Sequence, residues 1–164
     1  MELLYNYSME QFFTQNSELT LRLFLAVVLG MVIGAERLLV HKEAGMKTHA
    51  LISMGSALFV VISEILFVGY EGIGGFDPTR IASMIIVGIG FLGAGSIIHQ
   101  GARPMGLTTA GGMWVTAGIG MAAGFGLYTL AVIATVLVLF IFVVMNMIEK
   151  PIRKISDGLD NSES

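Results

Sequence analysis

Three carboxylates stand where a hydrophobic chain can least accommodate them: Glu64 inside an otherwise apolar stretch, Glu36 at the end of another, and Asp77 at the opening of a third. A carboxylate within lipid is costly enough to need a partner or a purpose. Asp77 and Glu64, with Glu36 at the opposite end of the spans, offer the oxygen donors a hard cation prefers. Mg²⁺ keeps several waters, so one or two carboxylates suffice for it. The competing reading is neutralisation, because Arg22, Asp77 and Arg80 are expected on the same side as Glu64 and would form an ion-pair network with it. A second group, Glu36, Arg37, Lys47, Thr48, His49, Arg103, Thr108 and Thr109, gathers at the other side. Lys47-Thr48-His49 starts one apolar run and Thr108-Thr109 another, and a helix start with hydroxyls and a cation can hold an anion. The alternative is that these charges are solvated or lie among lipid headgroups. His41, His49 and His99 lack metal-ligand spacing and no Ser/His/Asp arrangement surrounds them, so no enzyme is expected.

The glycines form the other pattern. Gly88-x-Gly90-x-x-Gly93 has the spacing of a dinucleotide fingerprint, but it lies inside an apolar run rather than at a strand-to-helix turn. With Gly95, it reads instead as a groove for another helix backbone or a small ligand. Gly112, Thr116, Gly120 and Gly124 repeat at four-residue spacing, as do Ala26, Gly30 and Gly34. Tight helix packing is the expectation for all three stripes.

The elements that must position these residues are membrane helices. Of 164 residues, 55% are hydrophobic and 13% charged, against roughly 25% charged in a soluble domain, and the mean hydropathy is +0.82. Gly supplies 21 residues and Pro only 3, a bias that suits close helix contact in lipid. A net charge of -3 with scattered Lys and Arg leaves no basic face, which excludes nucleic acid as a partner. Without cysteine there is neither a disulfide framework nor a thiolate site. The N-terminus has no basic region ahead of an apolar run, so no cleaved signal is expected.

Five spans follow, giving an all-α fold. The first runs from Thr20 to Ala35 and stops at Glu36-Arg37; Glu36 to Thr48 reads as a surface loop. His49 to Gly69 is the second. Asp77-Pro78 opens the third, Asp as cap and Pro in the first turn, and it runs to about Ile98. Thr108 to Ile148 carries no charge and is about twice the ~20 residues needed to span, so two helices share it, broken at Gly124-Phe125-Gly126. Glu149, Lys150 and Pro151 end the fifth. An outside N-terminus places seven of the nine basic residues, all but Arg22 and Arg80, on the cytoplasmic side. The chain thus divides into an extracytoplasmic segment 1–19, a transmembrane domain 20–148 and a short cytoplasmic tail 149–164, with a homo-oligomer expected because five short helices leave little interior.

Three blocks together resemble one family. They are Gly34-Ala35-Glu36-Arg37 with Ala44-Gly45-Met46-Lys47-Thr48-His49-Ala50-Leu51, then Asp77-Pro78-Thr79-Arg80-Ile81-Ala82 leading into Gly88 to Gly95, then Gly106-Leu107-Thr108-Thr109-Ala110 with Trp114. In order and spacing this is similar to the MgtC/SapB family across about Leu21 to Gly126. The resemblance implies a multi-pass protein of the bacterial inner membrane, linked to magnesium homeostasis and in some pathogens to virulence. It also implies a choice between two functions: Mg²⁺ transport, with Mg²⁺ as ligand or cargo, and regulation of another membrane complex such as the proton-driven ATP synthase. Lys47 stands where the family usually has Arg, and Met84 and Val87 where Gln and Ser are common, so the third helix loses polar groups that could line a pathway. The cytoplasmic domain that follows the last helix in many relatives is not expected after Glu149.

Overall fold

The computed structural model describes residues 2–69, 79–100 and 103–160. Its elements in order are α1 (Glu2–Leu39), α2 (Met46–Gly69), α3 (Thr79–Gly95), β1 (Ile98–Gln100), β2 (Arg103–Met105), α4 (Leu107–Gly124) and α5 (Tyr128–Asp160). The all-α expectation holds, with five helices among the described residues and one small antiparallel hairpin pairing Ile98 with Met105. Three helical segments are long and apolar enough to cross a membrane, 16–39, 46–67 and 128–149; the apolar part of α3, 80–95, is shorter.

Small residues decide which helices touch. A Cβ built on Gly30 would lie 2.5 Å from the His49 carbonyl oxygen, and one on Gly34 would lie 2.5 Å from Met46 Cα. Those are backbone atoms with no room to retreat, so α1 and α2 are in direct main-chain contact. On the other side of α2, a Cβ on Gly120 would run into the Ser53 carbonyl, and one on Gly124 would lie 2.8 Å from the Ala57 carbonyl oxygen. α2 is therefore clasped between two glycine pairs at four-residue spacing, the arrangement by which helices associate in lipid without a hydrophobic driving force. The third stripe behaves differently. Gly93 is in ordinary contact with Ala110 of α4, whereas Gly88, Gly90 and Gly95 face open space. α3 consequently touches α4 far more than α2, and an apolar groove of about 630 Å³, walled by Leu51, Phe59, Met84 and Leu92, separates it from α2.

Several boundaries differ from the expectation. α1 runs on through Glu36 and Arg37 to Leu39, so the loop expected over Glu36 to Thr48 shrinks to the few residues before Met46. The helix ends in a Schellman turn: the Lys42 N–H donates to the Arg37 carbonyl and the His41 N–H to the Leu38 carbonyl, with His41 at φ 57°. The expected break at Gly124-Phe125-Gly126 is present and is the same device, with Gly126 at φ 73° and the Leu127 N–H bonded to the Ala122 carbonyl. α3 stops at Gly95 rather than Ile98, where the Ser96 hydroxyl takes the Gly93 carbonyl and the chain turns into the hairpin. α5 does not end at Pro151 but carries it inside a helix that continues to Asp160; a proline removes one intrahelical hydrogen bond, and the rest of this long helix absorbs the loss. The opening expected at Asp77-Pro78 lies outside the described residues; the described part of α3 begins at Thr79.

The packing makes a contrast between glycines testable. Gly34→Ala and Gly120→Ala force backbone apart and should lower the yield of folded, detergent-soluble protein severalfold. Gly90→Ala meets nothing and should stabilise by about 0.5–1 kcal/mol through helix propensity, read as a higher thermal midpoint. Equal losses in all three would mean that the clasp is not what holds α2.

Candidate functional site

The surface and interior are inverted relative to a water-soluble protein. Phe24, Phe91 and Phe140 are more than 60% exposed, while Glu36, Arg37, His49, Ser53, Ser56, Thr116 and Thr135 are buried. The buried hydroxyls are partly consumed within their own helices: Thr116 donates to the Gly112 carbonyl at 2.7 Å and Thr135 to that of Ala131 at 2.8 Å.

The densest polar grouping lies at the C-terminal end of α1. Arg37 is 3% exposed; its Nε donates to the Glu36 carboxylate, and its guanidinium lies 3.5 Å above the centre of the Phe142 ring of α5. A desolvated cation over an aromatic face gains about 2 kcal/mol or more. The Glu36 and Arg37 charges thus cancel each other while Phe142 covers the outer face of the cation. His49, fully buried on α2, places Nδ1 3.1 Å from the Gly45 carbonyl oxygen. Its Nε2 looks across to α4, where a Cβ on Gly112 would lie 3.6 Å away and 3.1 Å from Phe142 Cζ. Gly112 is glycine because the imidazole and the Phe142 ring occupy its side-chain volume. Neither His49 Nε2 nor the Ser53 hydroxyl one turn further on has a hydrogen-bond partner among the described residues.

At the other end of α1, Arg22 ties three elements together. It pairs with Glu18 at 2.7 Å and Glu64 at 2.5 Å, and it donates to the Gly124 carbonyl at the end of α4 at 3.1 Å. A cation at a helix C-terminus meets the negative end of its dipole, so Arg22 both neutralises Glu64 and caps α4.

The sequence-predicted residues therefore fall into distinct places. Glu36, Arg37, His49 and Thr109 are buried together at one end of the bundle; Lys47 and Thr108 are exposed there, and Thr48 is half-buried. Trp114 is exposed on the outer face of α4. Glu64 belongs to the opposite end, with Arg22; fourteen residues of α1 separate Arg22 from Glu36, a rise of about 21 Å, so Glu64 and Glu36 cannot share one cation. Arg80 is exposed at the start of α3, and Asp77 lies outside the described residues. Among the described residues no three His, Asp or Glu side chains gather as metal ligands. Of the packing glycines, Gly30, Gly34, Gly112 and Gly120 are internal, Gly93 is in ordinary contact, and Gly88, Gly90 and Gly95 are open. Sequence reasoning missed Phe142 and Ser53. Nothing marks Phe142 within the uniformly apolar α5, but Ser53 and Ala57, small residues four apart, mirror Gly120 and Gly124.

An apolar exterior around close-packed helices with charges neutralised inside defines an integral membrane protein. A sequence model of the MgtC family matches residues 23–151, and the chain belongs to that family. It is 42% identical over 134 residues to "Putative magnesium transporter YhiD" of Escherichia coli K12, covering 80% of this chain and 62% of that protein. It is 42% identical over 114 residues to "Protein MgtC" of Brucella abortus, covering 70% and 45%, and 41% identical over 119 residues to "Protein MgtC" of Salmonella typhimurium, covering 73% and 48%. The chain thus spans about half to three-fifths of the length of these relatives. No solved structure matches it.

The Arg37 arrangement sets an expected energetic order. Arg37→Met strands a buried carboxylate and should cost about 3–5 kcal/mol. Removing both charges together, as Glu36→Gln with Arg37→Met, should restore most of that loss. The check is a double-mutant cycle on thermal midpoints in detergent; strict additivity would mean that the two side chains do not act as a pair.

Proposed function

We propose that this is a multi-pass inner-membrane protein, N-terminus outside, that serves magnesium homeostasis as a non-transporting regulator of another membrane complex. The observation that carries this reading is that Glu36 and Glu64, the two described acids that the sequence offers as cation ligands, are each ion-paired to an arginine, Arg37 and Arg22 respectively. The Glu36–Arg37 pair is neutral, and Arg22, which Glu64 shares with Glu18, leaves Glu64 only part of its charge to offer a passing cation. The magnesium connection comes from the name of the Escherichia coli relative. The partner class, of which the proton-driven ATP synthase is one member, comes from the family resemblance. The homo-oligomer expected from the sequence remains part of the proposal.

On this reading, docking falls away from Gly112 and Gly120. Gly112 and Gly120, part of a glycine stripe otherwise suited to an interface, are filled by Phe142 and the α2 backbone within the protomer. Glycines open to a neighbouring helix include Gly88, Gly90 and Gly95 on α3 and Gly111 and Gly118 on α4.

Transport is the second reading, and Asp77 is its remaining candidate ligand. The deciding measurement is Mg²⁺ entry into liposomes carrying only the purified chain, read with a trapped magnesium dye. Regulation predicts entry at the level of empty liposomes from protein shown to be folded and inserted. Entry above that level, abolished by Asp77→Ala, would overturn the regulator and make the outer acidic residues a transport site.

A further inference from the structure

The turn that ends α1 and the start of α4 face each other across a cavity of about 190 Å³, distinct from the buried Arg37 cluster and from the apolar groove. α4 begins without a side-chain cap: Gly106 stands at the cap position with φ 91° and makes no side-chain cap hydrogen bond. A helix start leaves several N–H donors without intrahelical partners and carries the positive end of the dipole. Gly106 keeps this end bare, because a Cβ there would run into the Ser96 carbonyl.

A second feature points to an occupant. Thr109 lines the cavity, is 8% exposed, and its hydroxyl has no hydrogen-bond partner among the described residues. The Ser96 hydroxyl beside it is committed to the Gly93 carbonyl at 2.7 Å, so Thr109 is the hydroxyl left for a ligand. Lys42 stands on the rim, carried there by the Schellman turn at His41. Glu43 shares the rim and offsets part of that charge. Attraction therefore comes chiefly from directed donors, namely the amides of the α4 start and the Thr109 hydroxyl, which suits a small tetrahedral anion better than an extended polyanion.

We propose that this cavity binds a phosphate group, borne by a lipid headgroup or by a free phosphate or phosphomonoester. The amides of the first turn of α4 and the Thr109 hydroxyl hold its oxygens, and Lys42 supplies the counter-charge. Ile98 and Met105, partners across the hairpin and each 53% exposed, flank the opening with apolar surface, where the chains of a lipid would lie. This site is independent of whether the protein moves magnesium.

The test uses the full chain in neutral detergent, dialysed to equilibrium against labelled inorganic phosphate and, separately, against short-chain phosphatidic acid. The expected result is saturable one-to-one binding of at least one probe, weakened about tenfold by Thr109→Val and severalfold by Lys42→Gln. Lys47→Gln, which alters a charge outside the cavity, should leave it unchanged. Thermal midpoints near wild type show that the variants are folded; Thr109→Val keeps the shape and removes only the hydroxyl. Tighter binding of phosphatidic acid than of phosphate makes a headgroup the source, and the reverse makes it the soluble anion. Absence of saturable binding by both probes, or equal binding in wild type and Thr109→Val, overturns the site.

Discussion

The bundle depends on main-chain contact along both sides of α2. Gly30 and Gly34 press on one side of its backbone and Gly120 and Gly124 on the other. In lipid the hydrophobic effect does not separate one apolar surface from another, so association rests on dispersion at close range and on polar groups that find partners. Four glycines give the first of these, and the second follows from it. Once α1, α2 and α4 are within backbone distance, Arg22 can reach both Glu64 and the Gly124 carbonyl, and His49 is shut in between its neighbours.

The two arginines of α1 use this frame differently. Arg22 works at an end that is still partly wet, joining exposed acids to a helix terminus. Arg37 is enclosed: its charge is met by a neighbour in sequence and its flat face by an aromatic ring from the last helix. The planar guanidinium is what allows both contacts at once, which an ammonium could not reproduce. α5 is thereby fastened to α1 by Phe142, a contact spanning most of the chain.

Much of this was legible in the sequence, for identifiable reasons. The four-residue spacing of Gly30 with Gly34 and of Gly120 with Gly124 marks faces whose backbones can approach, and the structure closes those faces. The same spacing at Gly88, Gly90 and Gly95 meets no neighbour within the protomer, because spacing tells which residues share a face but not what covers it. Glu36 and Arg37 read as the start of a loop because charge usually leaves the membrane; they stay inside the helix because Phe142, more than a hundred residues later, makes burial tolerable. Pro151 read as a stop and is not one. The β1–β2 hairpin carries no signal beyond turn residues, since three-residue strands are too short to show a period.

The unequal lengths of the helices bear on the bilayer itself. α4, with 18 residues, rises about 27 Å, short of a hydrocarbon core of about 30 Å. α1, α2 and α5 are longer and do not share this shortfall. α4 packs against all four of the other helices, so its short length is met mainly by protein. Bilayer deformation costs a fraction of a kcal/mol per Å of mismatch, and setting the short helix among longer ones spares the lipid most of it.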